Sequence, residues 1–289
     1  MNSRMNITCD RKPCYDIVFS ADFDDLITEL SGFHIAERKV AVITDTNVKE
    51  LYGEQIMALL DGNCKKSVLY AFEAGEEHKT LDTVKDIYRF LIEEKFDRKD
   101  LLLALGGGVT GDITGYTAAT YLRGIDFIQI PTTLLAQADS SIGGKTGVDF
   151  EGYKNMVGAF YMPKLVYMNV STLKTLSDRQ FYSGFAEIMK HGLIKDAVFY
   201  EWLLDHMYEI CDREPETLLE MVEKSSLIKK LVVEKDPTEK GDRALLNFGH
   251  TIGHAIEKYK NFTMTHGECV ALGAVAAAFI SWKHEWLSM

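Results

Sequence analysis

The chain has 289 residues, 46% hydrophobic and 26% charged, which is the make-up of an ordinary globular protein and excludes extended disorder. A formal net charge of −11 argues against nucleic acid and anionic membrane surfaces as partners. It leaves a small anionic substrate open, since charges lining a pocket outweigh distant ones at physiological salt. Five scattered cysteines without a C-x-x-C pair argue against a disulfide frame and against a thiolate zinc site, and point to a reducing, cytoplasmic setting.

The opening MNSRMNITCDRK lacks the apolar core of a signal peptide. Four short apolar runs follow, KVAVIT (Lys39–Thr44), SVLYAF (Ser67–Phe72), LLLALG (Leu101–Gly106) and DFIQIP (Asp126–Pro131). They are rich in Val, Ile, Leu and aromatics and bounded by Gly, Pro or Asp, so they read as strands. Between them, Val48–Leu60, Thr80–Glu94 and Gly111–Tyr121 have helical length and spacing. Such alternation predicts a parallel sheet covered on both faces. Beyond about Leu173 the strand signals stop and five helical stretches follow: Asp178–Lys195, Val198–Cys211, Pro215–Glu234, Ala244–Lys260 and Gly267–Glu285. The expected architecture is therefore α/β, with a parallel-sheet domain over residues 1–172 and an all-helical domain over 173–289. Ligands of open parallel sheets sit at the carboxyl ends of the strands, so the expected site is a cleft between the two. The weakly polar run Cys269–Trp282 is too short to cross a bilayer.

Two glycine clusters invite a phosphate reading. GGKT at Gly143–Thr146 resembles the end of a Walker A loop, but the glycine required five residues before Gly144 is Asp139, whose carboxylate would repel a triphosphate. An ATPase is excluded on that residue. The other cluster, Gly106-x-Gly108-x-x-Gly111, follows a predicted strand and opens a predicted helix, the setting in which backbone N–H groups and a helix N-terminus receive a pyrophosphate. A tight structural turn is its plainer reading. Asp45, after KVAVIT, is a candidate ribose ligand and equally a helix N-cap.

The helical half carries the metal signal. NFGHTIGHAIE sets His250 and His254 four apart on one helical face, and MTHGE adds His266. The H-E-x-x-H glutamate is missing, so no metalloprotease follows. Glu187 in SGFAEIMKHG is a candidate carboxylate ligand, or else an exposed acid paired with Lys190 at i+3. Arg123, Lys145, Lys154, Lys190, Lys229 and Arg243, each beside a Gly, Asn or His cluster, form a candidate anion site.

Long ordered motifs, GGGVTGDITGYTAATYLRGIDFIQIPTTLLAQADSSIGGKTGVD, KNMVGAFYMP, SGFAEIMKHGLI and LLNFGHTIGHAIE, make the sequence resemble the 3-dehydroquinate synthases, sugar-phosphate cyclases of the shikimate pathway, from about Val40 to Phe279. The resemblance implies a Rossmann-like N-terminal domain, NAD and Zn²⁺ (or Co²⁺) as cofactors, a sugar-phosphate substrate and a homodimer. It implies Glu187, His250 and His266 as metal ligands, which moves His254 from the metal to the substrate. It implies Gly107, Gly108, Val109 and Asp112 as the NAD-binding turn, with Asp45, Glu76, Lys79, Thr132, Thr133, Asp139, Lys145, Lys154, Thr172 and Thr175 as further NAD contacts. Substrate contacts would be Arg123, Lys145, Asn155, Lys190, Lys229, Arg243, Asn247 and His254.

The implied reaction converts 3-deoxy-D-arabino-heptulosonate 7-phosphate to 3-dehydroquinate and phosphate, by oxidation, elimination, reduction and intramolecular aldol closure. The chain stops at SWKHEWLSM, where members of that family run on through further helices, so an incomplete helical domain is expected. The alternatives are another sugar-phosphate cyclase, a glycerol-dehydrogenase-like polyol dehydrogenase, and an inactive truncated fragment.

Overall fold

An apolar run with no polar alternation has to be covered on both sides, and LLLALG is: all six of its residues are buried. The computed structural model describes residues 3–9, 11–236, 241–261 and 263–287. Its strands are β1 (Ser3–Cys9), β2 (Lys12–Ser20), β3 (Lys39–Asp45), β4 (Lys66–Phe72), β5 (Leu101–Gly106), β6 (Asp126–Pro131), β7 (Lys145–Phe150), β8 (Tyr153–Phe160) and β9 (Leu165–Asn169). Seven form one sheet in the order β1-β2-β9-β6-β5-β3-β4. The pairs β2/β9, β9/β6, β6/β5, β5/β3 and β3/β4 are all parallel.

The pleat sends neighbouring residues to opposite faces. Val40 and Val42 of β3, with Leu101, Leu103 and Leu105 of β5, pack against Leu26, Leu30, Ile56 and Leu60 of helices on one side. Ala41, Ile43 and Leu102 pack with Val84, Ile87, Leu91 and Ile113 on the other. Truncating one of these leucines to alanine costs about 3 kcal/mol.

The expected strands and their covering helices are present, and several elements lie outside that reading. β1, β2 and β9 flank the expected four strands, and β7 pairs with β8 in a separate antiparallel ribbon. The ribbon turns through Glu151 and Gly152, at φ 48° and 81°, the two positive values that a tight primed turn demands. The helix expected over Val48–Leu60 is interrupted by a wider turn at Lys49–Gly53. In the second half, the expected Val198–Cys211 helix is two helices, Ala197–Asp205 and Met207–Cys211. The expected Ala244–Lys260 helix starts only at His250, because Gly249 stands at φ 80° and the preceding residues form a tighter 3₁₀ turn, Asp242–Asn247.

Contacts divide the chain into two units. Unit 1 holds Lys12–Thr132 and Ser140–Ser171; unit 2 holds Thr133–Asp139 and the chain from Thr172 onward. Unit 2 is built on the helices Asp178–Lys195, Pro215–Lys235, His250–Tyr259 and His266–Lys283. Among the described residues no helix is long and apolar enough to cross a membrane.

Candidate functional site

In unit 2 the site begins with a close approach of two helices. Ser177 caps the helix Asp178–Lys195, and Thr265 with Glu268 forms a capping box on His266–Lys283. A side chain at Gly267 would stand 1.9 Å from the Ser183 carbonyl oxygen, so only glycine lets the second helix start against the first. That approach sets His266 beside Glu187, one turn beyond Ser183. The helix His250–Tyr259 brings in a third group. Glu187 Oε1 lies 3.5 Å from His266 Nε2 and 3.8 Å from His250 Nε2.

Glu187 is 1% exposed, and its Oε1 accepts no well-formed hydrogen bond. A buried carboxylate oxygen left in that state calls for a cation. Two imidazoles and one carboxylate are a donor set for a zinc site that keeps an open position, and a tetrahedral ion with bonds of about 2.1 Å holds its ligands roughly 3.4 Å apart. The two Glu187–imidazole separations are near that value. His254 also comes close, since ring nitrogens of His250, His254 and His266 lie within 4.8 Å of one another. The i,i+4 pair read from the sequence, His250 and His254, and the carboxylate set implied by the resemblance therefore share His250 alone; His254 is exposed and Glu187 is not.

Behind this group lies a buried ionic network. Lys190 Nζ contacts Glu187 Oε2 and donates to the Leu246 carbonyl at 2.7 Å. The i+3 pairing read from the sequence as a surface feature is thus present but buried, with both side chains at most 2% exposed. Lys229, also buried, contacts Asp139, and Arg243 is buried near Lys229. Burial works against the charge on each, and the outcome depends on partners. Burial would push the Glu187 carboxyl up, yet Lys190 and the imidazoles hold it down to about 2. Asp139 is held below the carboxylate range by Lys229 and Lys190 despite burial. Lys229 is lowered, burial outweighing Asp139. Burial and Lys190 lower His250, whereas Glu187 and Glu257 overcome burial at His266 and raise it to about 9.

Glu257 escaped the sequence reading. It is buried, with Oε2 3.8 Å from His266 Nδ1, the outer ring nitrogen, where a carboxylate fixes the orientation of a ligating imidazole. Its signal was positional, because it falls on the buried face with Gly253 of a helix whose other side is polar. His191 is another. It is buried, its Nδ1 lies 2.8 Å from Ser225 Oγ, and burial together with Lys190 lowers it to about 4. Asn247 and His254 are exposed members of unit 2.

Unit 1 holds the glycine turn. Gly106 ends β5, Gly107 is the N-cap, and the helix Gly108–Thr120 begins at once, so Gly107, Gly108, Val109 and Asp112 stand at a helix N-terminus. Asp45 Oδ1 accepts the Val48 N–H at 3.0 Å as an N-cap, and Oδ2 lies 3.3 Å from Thr110 Oγ1 in the glycine-turn helix. Both sequence readings of Asp45 are compatible with that placement. Lys79 is buried, pairs with Asp112 at 2.7 Å and donates to Asn155 Oδ1 at 2.6 Å. Asp112 and Glu76 raise it against burial. Lys154 lies 3.6 Å from Glu76. Thr132 follows β6 and donates its backbone N–H to the Gly106 carbonyl, and Arg123 and Lys145 are exposed. Of the remaining expected cofactor contacts, Thr133, Asp139, Thr172 and Thr175 belong to unit 2, where Thr172 Oγ1 lies 3.4 Å from Gln137 Nε2 and Thr175 Oγ1 donates to the Thr172 carbonyl.

Residues 69–183 match the family described as 3-dehydroquinate synthase N-terminal, and residues 184–289 match 3-dehydroquinate synthase C-terminal. The chain is 52% identical over 264 residues to the 3-dehydroquinate synthase of Acetivibrio thermocellus, covering 91% of this chain and 73% of that protein. A solved 2-deoxy-scyllo-inosose synthase, complexed with carbaglucose-6-phosphate, NAD⁺ and Co²⁺, superposes with a TM-score of 0.90 at 28% identity, covering 100% of this chain and 77% of the other. A 2-epi-5-epi-valiolone synthase from Streptomyces hygroscopicus subsp. jinggangensis 5008, with NAD⁺ and Zn²⁺ bound, superposes with a TM-score of 0.83 at 29% identity, covering 93% and 75%.

Proposed function

The chain belongs to the 3-dehydroquinate synthase family, and from that premise we propose that it converts 3-deoxy-D-arabino-heptulosonate 7-phosphate to 3-dehydroquinate and phosphate. This is a carbon–oxygen lyase reaction of the shikimate pathway, leading to aromatic amino acids. When bound, NAD⁺ supplies a reversible hydride acceptor and a divalent cation, Zn²⁺ or Co²⁺, supplies a Lewis acid. Glu187, His250 and His266 would hold the cation, with Glu257 orienting His266.

The chain's own groups do the rest. N–H groups at the start of the helix Gly108–Thr120 receive the pyrophosphate, and Asp45 beside them accepts from a ribose hydroxyl. Glu76, Lys79, Thr132, Thr133, Asp139, Lys154, Thr172 and Thr175 are further cofactor contacts on this reading. Lys190, Lys229 and Arg243 neutralise the substrate's carboxylate and phosphate, with Arg123 and Lys145 adding exposed cations. Asn155, Asn247 and the exposed His254 imidazole orient the hydroxyl groups. Asp139, ionised by its lysine neighbours, keeps Lys229 charged in a buried place. Alignment of the substrate is the protein's main contribution.

The observation that carries this reading is the buried, unsatisfied Glu187 oxygen facing two imidazoles in a network of three buried cations. A phosphate-release assay with NAD⁺ and Zn²⁺ tests it: release from the heptulosonate phosphate, abolished in Glu187→Gln, is expected. Release from a glucose phosphate alone would make the chain a different cyclase. Alcohol oxidation without phosphate release would make it a dehydrogenase.

The expected domains, 1–172 for NAD and 173–289 for metal and anion, stand as part of the proposal. We also infer a homodimer and a cytoplasmic setting. Exposed Phe150, Tyr153, Met156 and Phe160 on the β7–β8 ribbon form an apolar surface that a second copy would cover, and all five cysteines are free. Sedimentation at micromolar concentration tests the dimer.

A further inference from the structure

The β7–β8 ribbon contains an irregularity. Val148 pairs with Val157 and Phe150 with Tyr153, so Asp149 faces three residues, Lys154, Asn155 and Met156. A bulge of this kind bends the strand and re-aims a side chain. At its centre Asn155 takes φ 57°, a left-handed conformation that asparagine tolerates better than most residues.

Three hydrogen bonds hold it there. The Asn155 N–H donates to Asp149 Oδ1 at 2.7 Å. The Asp149 N–H donates to the Lys79 carbonyl at 2.8 Å. The buried Lys79 ammonium donates to Asn155 Oδ1 at 2.6 Å while pairing with Asp112 at 2.7 Å. The ammonium also decides which way the amide faces. It has three donors and no acceptor, so the atom towards it must be the oxygen. The Nδ2 group, with its two N–H donors, then lies on the side of the amide turned away from Lys79.

We propose that Asp149 is a positioning residue that, together with Lys79, clamps the bulge so that Asn155 turns its Nδ2 donors away from the ammonium and towards an acceptor oxygen of the substrate. This rests on the reading above that Asn155 contacts the sugar phosphate. Its consequence for specificity is that the group facing the Asn155 Nδ2 is an acceptor, a hydroxyl or anionic oxygen. The clamp also explains why a buried lysine is needed at position 79, since it fixes the amide's orientation from below and ties the bulge to Asp112 in the glycine-turn helix.

The test compares Asp149→Ala, which removes the acceptor for the Asn155 N–H, with Asp149→Asn, which keeps one, and with Asn155→Ala. Readouts are KM and kcat for the heptulosonate phosphate, NAD⁺ affinity by fluorescence, and hydrogen exchange across residues 149–157 in protein without substrate. Asp149→Ala should raise KM about tenfold, the equivalent of one hydrogen bond, and speed exchange in the bulge, with NAD⁺ affinity unchanged within about twofold. Asp149→Asn should restore both. If Asn155→Ala raises KM but Asp149→Ala leaves KM and exchange as in the parent, the clamp is wrong and the substrate contact stands. If Asn155→Ala leaves KM unchanged, the substrate contact is wrong and the proposal falls with it.

Discussion

Metal binding by this chain should release one proton per ion below about pH 9. Of the three proposed ligands, Glu187 is held at about 2 and is already ionised at neutral pH. His250 is lowered from its ordinary value, so it is largely neutral too. His266 differs, because Glu187 and Glu257 raise it to about 9 against the effect of burial, so it carries a proton at pH 7 that a cation must displace. Below pH 9 the apparent affinity should therefore rise about tenfold per pH unit, and at pH 7 it should lie roughly a hundredfold, or about 2.7 kcal/mol, below its plateau. The assay is competition with a chromophoric chelator between about pH 6.5 and pH 8.5, with calorimetry in two buffers of different ionisation enthalpy to count the protons. Glu257→Gln removes one of the acids that raise His266, so the plateau should begin at lower pH. A flat profile, or release of two protons, would refute the assignment of His266 as the one charged imidazole among the ligands.

Other outcomes follow from the same network. Lys145 is exposed at the start of β7, so Lys145→Ala should reduce turnover far more than it shifts the thermal midpoint; equal losses would make it structural. Asp139→Asn leaves the buried Lys229 ammonium without its counter-charge and should cost about 3 kcal/mol in urea unfolding; no change would mean that Lys229 is neutral or solvated in the native state. His191 is lowered to about 4 while the unfolded chain titrates near 6.5, so the unfolded state binds more protons between those values and stability falls as pH drops through that window. The loss should approach about 3 kcal/mol and be absent in His191→Gln; identical acid profiles for the two proteins would place His191 in solvent.

Strands β3 and β5 were legible because they are buried on both faces, whereas β1, β2 and β9 of the same sheet were missed. LLLALG and KVAVIT are unbroken apolar runs, and the glycines after β5 mark the helix start that the structure shows. The β7–β8 ribbon was not legible, for two physical reasons. Strand β8 is mostly exposed, so KNMV carries no alternation, and the bulge at Asn155 shifts the side-chain period within the strand. The Val198–Cys211 and Ala244–Lys260 stretches kept helical spacing across their breaks, so periodicity could not reveal the changes at His206 and Gly249.

At the site, the histidines announced themselves by spacing, and their rings do approach one another, His250 and His254 at 5.2 Å between centroids. The local sequence left Glu187 ambiguous, because an i+3 Glu–Lys pair reads the same on a surface and in a core. Burial decides between those readings, and burial depends on the helix that Gly267 brings alongside. Glu257 and Asp149 were hidden for a related reason: Glu257 lies against the His266 ring and Asp149 accepts from the Asn155 backbone N–H, pairings that no local pattern records.

The most direct test is metal content after equilibrium dialysis against Zn²⁺, compared across Glu187→Ala, His250→Ala, His266→Ala and His254→Ala. One ion per chain should be bound by the parent and by His254→Ala, and lost from the other three. Retention of the ion in Glu187→Ala together with its loss in His254→Ala would put the cation among the three imidazoles instead and contradict the account.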